Sequence, residues 1–192
     1  PGQARLALTV GASDKIDQIA DFSTRGPNPG DDGWLKPDLV APGVDIVSTY
    51  LDGTYASGDG TSMAAPHGAG AAALVKQLHP GWTPERIQAS LMNTAVDLGL
   101  NVHTQGAGRL QVDRAALTPS LVIPASVSFG TVDISQPLWS DTRLLWLENV
   151  TGSTRNYSLS GETQLPGSVT ISVEPGSMTL APGERRSFSA VL

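Results

Sequence analysis

From Met63 to Leu78 the sequence carries no polar stripe until Lys76 and Gln77, and much of it is Gly and Ala. Such a segment reads as a helix covered on nearly all sides, with small residues that let backbones approach closely. Gly60-Thr61-Ser62-Met63-Ala64-Ala65-Pro66-His67 opens it, so a serine hydroxyl is expected at the helix entrance. The first backbone N–H groups of a helix lack intrahelical partners and can face negative charge developing on a reacting carbonyl oxygen. Pro66 is expected to fall within the first turn, where its missing N–H does no harm. This is half of an acyl-transfer site, and the other half is a general base with a group to orient it. The plainer alternative is a core helix that begins with a common cap tripeptide.

The rest of the chain falls into two parts. In residues 1–117, Arg5–Val10 and Asp45–Tyr50 are aliphatic runs bounded by Gly and Pro and read as strands. Gly26–Gly33 is a loop too rich in Gly and Pro for regular structure. A second helix is expected over Pro84–Ala95, with Thr83 as N-cap, Pro84 at the first position, Glu85 in the first turn, and Ile87, Leu91 and Met92 facing inward. These pieces suggest one flank of an α/β sandwich with a mostly parallel sheet. The boundary falls at Leu117-Thr118-Pro119-Ser120. Residues 118–192 have no helical pattern; Ser126–Gly130, Arg143–Asn149, Ser168–Val173 and Ser187–Leu192 read as strands of a β-sandwich, separated by turns such as Glu174-Pro175-Gly176 and Ala181-Pro182-Gly183-Glu184.

A net charge of −6 argues against a nucleic-acid partner, which selects basic faces. The absence of cysteine excludes disulfides and cysteine metal sites. No apolar run approaches the length of a membrane span. Asn149-Val150-Thr151 and Asn156-Tyr157-Ser158 match the short glycosylation acceptor pattern, while Leu165-Pro166-Gly167-Ser168 lacks the ending and hydrophobic tail of a sortase anchor.

Three histidines can be tested as the base for Ser62. His67 lies five residues along the same helix, rotated by roughly 140° and raised by about 7.5 Å, too far to hydrogen-bond. His79 would sit about 25 Å away at the helix end, where Pro80-Gly81 reads as the stop. His103 lies in the polar run Asn101–Gln105; spacing does not exclude it, and a solvated loop residue is the simpler account.

The residues around Ser62 resemble the nucleophile signature of the subtilisin-like serine proteases. Leu8–Ser13, Phe22–Pro27 and Lys36–Gly43 upstream, and His79–Pro84 and Gly106–Leu110 downstream, resemble further blocks of that family in the family order. The likeness covers about residues 1–117. An α/β-hydrolase elbow would need Gly where Ala64 stands; sedolisin-type acid peptidases share the Gly-Thr-Ser entrance, but His67 and the flanking blocks fit subtilisins better. More narrowly the chain resembles large secreted members with a protease-associated insert before the Leu8 block and fibronectin-like domains behind the catalytic one; Phe129-Gly130 and Leu180–Glu184 carry the latter likeness. That module reads as a spacer, a substrate-positioning unit or a stabilising appendage.

The resemblance implies roles. Ser62 would attack the scissile carbonyl, with its own N–H in the oxyanion hole and Thr61 supporting it. Met63 and Phe22 would line the leaving-group side of the cleft, core packing being the alternative for both, and Asp59 and Gly60 would form the approach loop. The family's aspartate and histidine precede the serine; neither motif appears here, and the oxyanion asparagine would fall before residue 1. The chain is therefore expected to be the C-terminal part of a catalytic domain, inactive alone, poorly stable, self-associating, or completed by the missing N-terminal half. The substrate would be a polypeptide and the location extracellular, including the cell surface. No cofactor is required for the chemistry and no metal is assigned; family members often hold structural calcium, and a weak family cation site aligns with Pro1–Ala4, but no carboxylate cluster supports it. A non-catalytic binding or assembly fragment, and a fragment active only by complementation, are the other readings.

Overall fold

The structure is a computed structural model, and it describes residues 2–27, 34–130, 139–163 and 169–192. Pro1, most of the Gly26–Gly33 loop, Leu165–Ser168 and the first residue of the expected strand at Ser168 lie outside the described residues.

The first layer is built on two parallel strands, β1 (Val10–Ser13) and β2 (Leu39–Pro42), aligned from Val10 opposite Leu39 to Ser13 opposite Pro42. All of β1 and three residues of β2 are buried, as expected for parallel strands covered on both faces. The strand therefore starts where the sequence reading of Arg5–Val10 ends, and Leu6 is 90% exposed. On its other side Val40 exchanges backbone bonds with Gly108 and Leu110, and Arg109 pairs in turn with Val96. Gly108 makes this possible: at φ 117° an added Cβ would lie 2.2 Å from the Val96 carbonyl oxygen.

A buried ion pair fixes the start of this layer. Lys36 Nζ donates to Asp38 Oδ2 at 2.7 Å and to the Ala7 carbonyl at 2.9 Å, while Asp38 Oδ2 also accepts the Thr9 N–H at 2.6 Å. Each charge is thus hydrogen-bonded to backbone as well as to its partner, which offsets the cost of burial. The Lys-Pro-Asp block is explained by this network.

Helix α1 (Thr61–Leu78) packs on β1 and β2 through Ala64, Gly68, Ala71 and Val75. Gly68 has no room for a side chain, since a Cβ would sit 2.9 Å from Val10 Cγ2. The expectation of burial on nearly all sides is corrected: only that stripe is covered, and Leu74 and Leu78 are 56% and 53% exposed. The elements that pack on α1 are β1, β2 and the segments Pro84–Asn93 and Val112–Ala116, and they meet it along that stripe. Pro66 is corrected too. The helix begins at Thr61, so Pro66 lies in the second turn and has no N–H to give to the Ser62 carbonyl four residues back.

Between β2 and α1 stands an exposed antiparallel hairpin, β3 (Ile46–Thr49) and β4 (Tyr55–Gly58), joined through a 3-10 turn at Leu51–Gly53. The strand expected at Asp45–Tyr50 belongs to it, not to a parallel sheet. Helix α2 spans Pro84–Asn93; Thr83 Oγ1 accepts the Arg86 N–H at 3.4 Å, as capping requires. It stops two residues short of Ala95 because Thr94 leaves helical geometry and Asn93 Oδ1 is engaged by Val122 N at 2.7 Å. Short helices α3 (Val102–Gln105) and α4 (Val112–Ala116) complete the region.

Beyond residue 117 the described residues form two antiparallel sheets. One has the order β5 (Ser120–Ile123), β6 (Thr142–Asn149), β10 (Arg185–Val191), β8 (Ser172–Glu174); the other pairs β7 (Arg155–Ser158) with β9 (Ser177–Leu180). Leu145, Leu147, Phe188 and Ala190 from the first meet Met178 and Leu180 from the second in one apolar cluster. Ser126–Gly130 is not a strand: Ser128 offers its carbonyl to Arg143 Nε at 3.0 Å and Phe129 lies under the Arg143 guanidinium. Leu121 and Ile123 of β5 are fully buried in the core of the first region, against α2. Arg86 of α2 also grips the buried Glu148 of β6 with both ends of its guanidinium. Residues 117–120 therefore join two parts that share an interior.

Asn149 is wholly buried. Its amide donates to the carbonyls of Ser153, Leu180 and Ala181, and its oxygen accepts from Thr151. A glycan has no access to it, so that acceptor motif is structural. Asn156 is exposed.

Candidate active site

Ser62 stands in the first turn of α1, behind Gly60 as N-cap. Gly60 has φ 152° and ψ 159°, a conformation that favours glycine and turns the chain sharply from β4 into the helix. Met63 N and Ala64 N bond to the Gly60 carbonyl at 3.0 and 3.3 Å. The Thr61 and Ser62 N–H groups find no acceptor among the described residues. Two free donors thus accompany an exposed hydroxyl. Chemically, this arrangement can hold an oxyanion next to a nucleophile.

The approach to the helix is fixed from below. Gly60 N donates to the Gly43 carbonyl at 2.8 Å, and Asp59 Oδ1 accepts the Asp45 N–H at 2.6 Å. Gly43 has no space for a Cβ, which would lie 2.7 Å from Ala12 Cβ and 2.8 Å from the Gly60 oxygen. Met63 is half-buried, with its Sδ and Cε against Gly58. Phe22 is half-exposed at 50%. Of the residues expected near Ser62, Asp59, Gly60, Thr61 and Met63 adjoin it in one continuous segment, while Phe22 comes from the loop after β1. Sequence reasoning missed Gly43 and Asp45, although the Pro42-Gly43 turn signal was there to be read.

None of the histidines serves Ser62. His67 Nδ1 bonds to the Met63 carbonyl at 2.9 Å, four residues back on its own helix. His79 stacks on Trp82 with ring centroids 3.9 Å apart, and its Nε2 bonds to the Ala116 carbonyl at 2.8 Å. His103 is not a solvated loop residue: it lies in α3, capped by Asn101, with Nδ1 buried and unpaired. Ser62 Oγ has no hydrogen-bond partner among the described residues.

Ser62 does not line the groove beside α2. A groove of about 1560 Å³ runs between the α1–α2 side, with Trp82, Ile87 and Leu91, and the segment Ala125–Gly130. No group of three or more His, Cys, Asp or Glu among the described residues could hold a metal. Gly2–Ala4 brings no carboxylate, and the Gly2 and Ala4 carbonyls accept from Thr9 Oγ1 and Ala7 N. No helix among the described residues is long and apolar enough to cross a membrane.

A serine stands at the entrance of a helix packed on two parallel strands, and none of the three histidines is hydrogen-bonded to it. The family model described as the subtilase family, Peptidase_S8, matches residues 1–116, and the protein belongs to that family. It is 41% identical over 172 residues to the minor extracellular protease Vpr of Bacillus subtilis (strain 168), covering 82% of this chain and 21% of that protein. That share exceeds residues 1–117, so the likeness continues into the β-rich region. Subtilisin Savinase of Lederbergia lenta is 44% identical over 115 residues, covering 60% of this chain and 39% of that protein. Subtilisin-like protease SBT4.14 of Arabidopsis thaliana is 41% identical over 122 residues, covering 54% and 16%. The chain thus spans well under half the length of these relatives.

Proposed function

We propose that this chain is the C-terminal part of the catalytic unit of a secreted subtilisin-like serine endopeptidase, with Ser62 as its nucleophile. The observation that carries the reading is the exposed Ser62 hydroxyl beside two unpaired N–H donors at the α1 entrance. Ser62 Oγ adds to the scissile carbonyl carbon as its proton passes to a histidine supplied from outside these residues. The carbonyl oxygen, now negative, is held by the Ser62 N–H with support from Thr61. Collapse expels the amine, protonated by the same histidine, and leaves an acyl group on Ser62 that water removes. Met63 and Phe22 line the leaving-group side, and Asp59 and Gly60 form the approach loop. No cofactor takes part. Residues 118–192 act as a fibronectin type III-like module that spaces or positions the polypeptide substrate.

Without its histidine Ser62 is a weak nucleophile. In a subtilisin, loss of the serine or the histidine lowers turnover about 10⁶-fold, so the chain alone is inactive. Co-production with the upstream half, assayed on a peptide amide, tests this. Activity that appears only in the pair and vanishes in Ser62→Ala supports the reading. No activity in any pairing favours a binding or assembly fragment instead. That second reading draws on the shared interior of α2, β5 and β6, which makes residues 118–192 more than an appendage.

A further inference from the structure

Between Gly58, the end of β4, and Thr61, the start of α1, the chain has only Asp59 and Gly60 in which to set the direction of the helix. Both are tied to one turn. Gly60 N–H reaches the Gly43 carbonyl at 2.8 Å, and the Asp59 carboxylate takes the Asp45 N–H at 2.6 Å. The turn is itself held to the sheet, because Gly43 N donates to the Ser13 carbonyl at 2.8 Å and Lys15 Nζ to the Asp45 carbonyl at 3.0 Å. Asp45 has φ 52°, so its N–H points where an ordinary extended residue would not send it.

We propose that Asp59 is a positioning residue for Ser62: its carboxylate clamps the helix entrance onto the Gly43–Asp45 turn and so holds the nucleophile in register with the sheet. The inference rests on the reading of Ser62 as nucleophile. Asp59 is exposed, so its carboxylate adds nothing to the core; what it does is accept a charge-assisted bond from backbone. The entrance needs such a tie. Pro66 removes the bond that would return to the Ser62 carbonyl, so the first turn is held by one intrahelical bond fewer. Without the carboxylate, the Gly60 N–H bond and the Ile46–Gly58 pairing of β3 with β4 are what still tie the entrance to the turn among the described residues. A nucleophile displaced by about 1 Å costs on the order of 10²-fold in rate.

The test compares wild type, Asp59→Ala and Asp59→Asn in the chain co-produced with its upstream half, on a peptide amide. Asp59→Ala is expected to lower kcat by about ten- to a hundredfold with KM nearly unchanged, and Asp59→Asn, which keeps an acceptor oxygen, to restore it to within about threefold. In the isolated chain the Asp45 amide should exchange its hydrogen faster in Asp59→Ala and not in Asp59→Asn. Wild-type kcat in Asp59→Ala overturns the proposal. So does an Asp59→Asn loss as large as that of Asp59→Ala, since charge and not the bond would then matter. A wild-type pair with no Ser62-dependent activity sinks the reading of Ser62 itself, and the positioning role with it.

Discussion

Removing Arg86 should loosen the whole molecule, not one corner of it. Its guanidinium spans α2 and β6, with Nε donating to Glu148 Oε2 at 3.2 Å and the terminal nitrogen to Oε1. The Glu148 side chain is 4% exposed and that of Arg86 34%. Breaking a fully buried pair by deleting one partner costs about 3–5 kcal/mol, because a charge is left without compensation. Here the arginine side is open to water, which partly resolvates the carboxylate, so about 2–3 kcal/mol is expected for Arg86→Ala. For a chain of this size that lowers Tm by roughly 4–12 °C. Glu148→Leu removes the buried charge itself and should cost less, and the double variant should cost less than the sum by about 1 kcal/mol or more. Urea unfolding followed by tryptophan fluorescence reads this well, since Trp34 and Trp82 lie in the first region and Trp139 and Trp146 in the second. A single coincident transition that moves as a unit is expected. An Arg86→Ala cost below about 0.5 kcal/mol, the range of an ordinary surface change, or strict additivity in the double variant, would refute the reasoning.

Three further outcomes follow from named contacts. Ile123→Ala, in β5 but buried in the core of the first region, should cost about 2–5 kcal/mol and, in variants that keep Trp82 or Trp146 as the sole tryptophan, lower both midpoints equally. Ser13→Ala should leave stability unchanged or raise it by about 1 kcal/mol in chemical denaturation, because Ser13 Oγ is buried without a hydrogen-bond partner. The Gln105 amide, and after it the Gly99 N–H, hold the Asp97 carboxyl below the usual aspartate range. Its stabilising contribution is therefore present above about pH 4 and lost as pH falls through the depressed value. The stability gap between wild type and Asp97→Asn, measured by urea midpoint across pH, should close in that acid range.

Local signals were legible where backbone chemistry alone decides. Thr83-Pro84 fixed the start of α2, and the small residues of α1 announced its close approach to β1. What escaped depended on partners distant in sequence. β1 begins at Val10, not Arg5, because the Asp38–Lys36 pair and β2 set its register. Ser120–Ile123 carries little alternation, and its strand exists because Leu121 and Ile123 find α2. Asn149 matches the acceptor pattern, yet its amide closes a turn inside the β-rich part. At the candidate site the segment Asp59–Met63 was readable as a unit. That the Gly43–Asp45 turn holds it was not, since a hydrogen bond across fourteen positions leaves no local pattern even where the turn itself has one.

The most direct measurement is fluorophosphonate labelling, with the modified residue located by mass spectrometry, of the isolated chain and of the chain co-produced with its upstream half. Rapid labelling at Ser62 in the pair, with almost none in the isolated chain, is the expected result. Rapid labelling of Ser62 in the isolated chain would contradict the account by placing a working base within these residues, as would peptide-amide hydrolysis by the pair that survives Ser62→Ala.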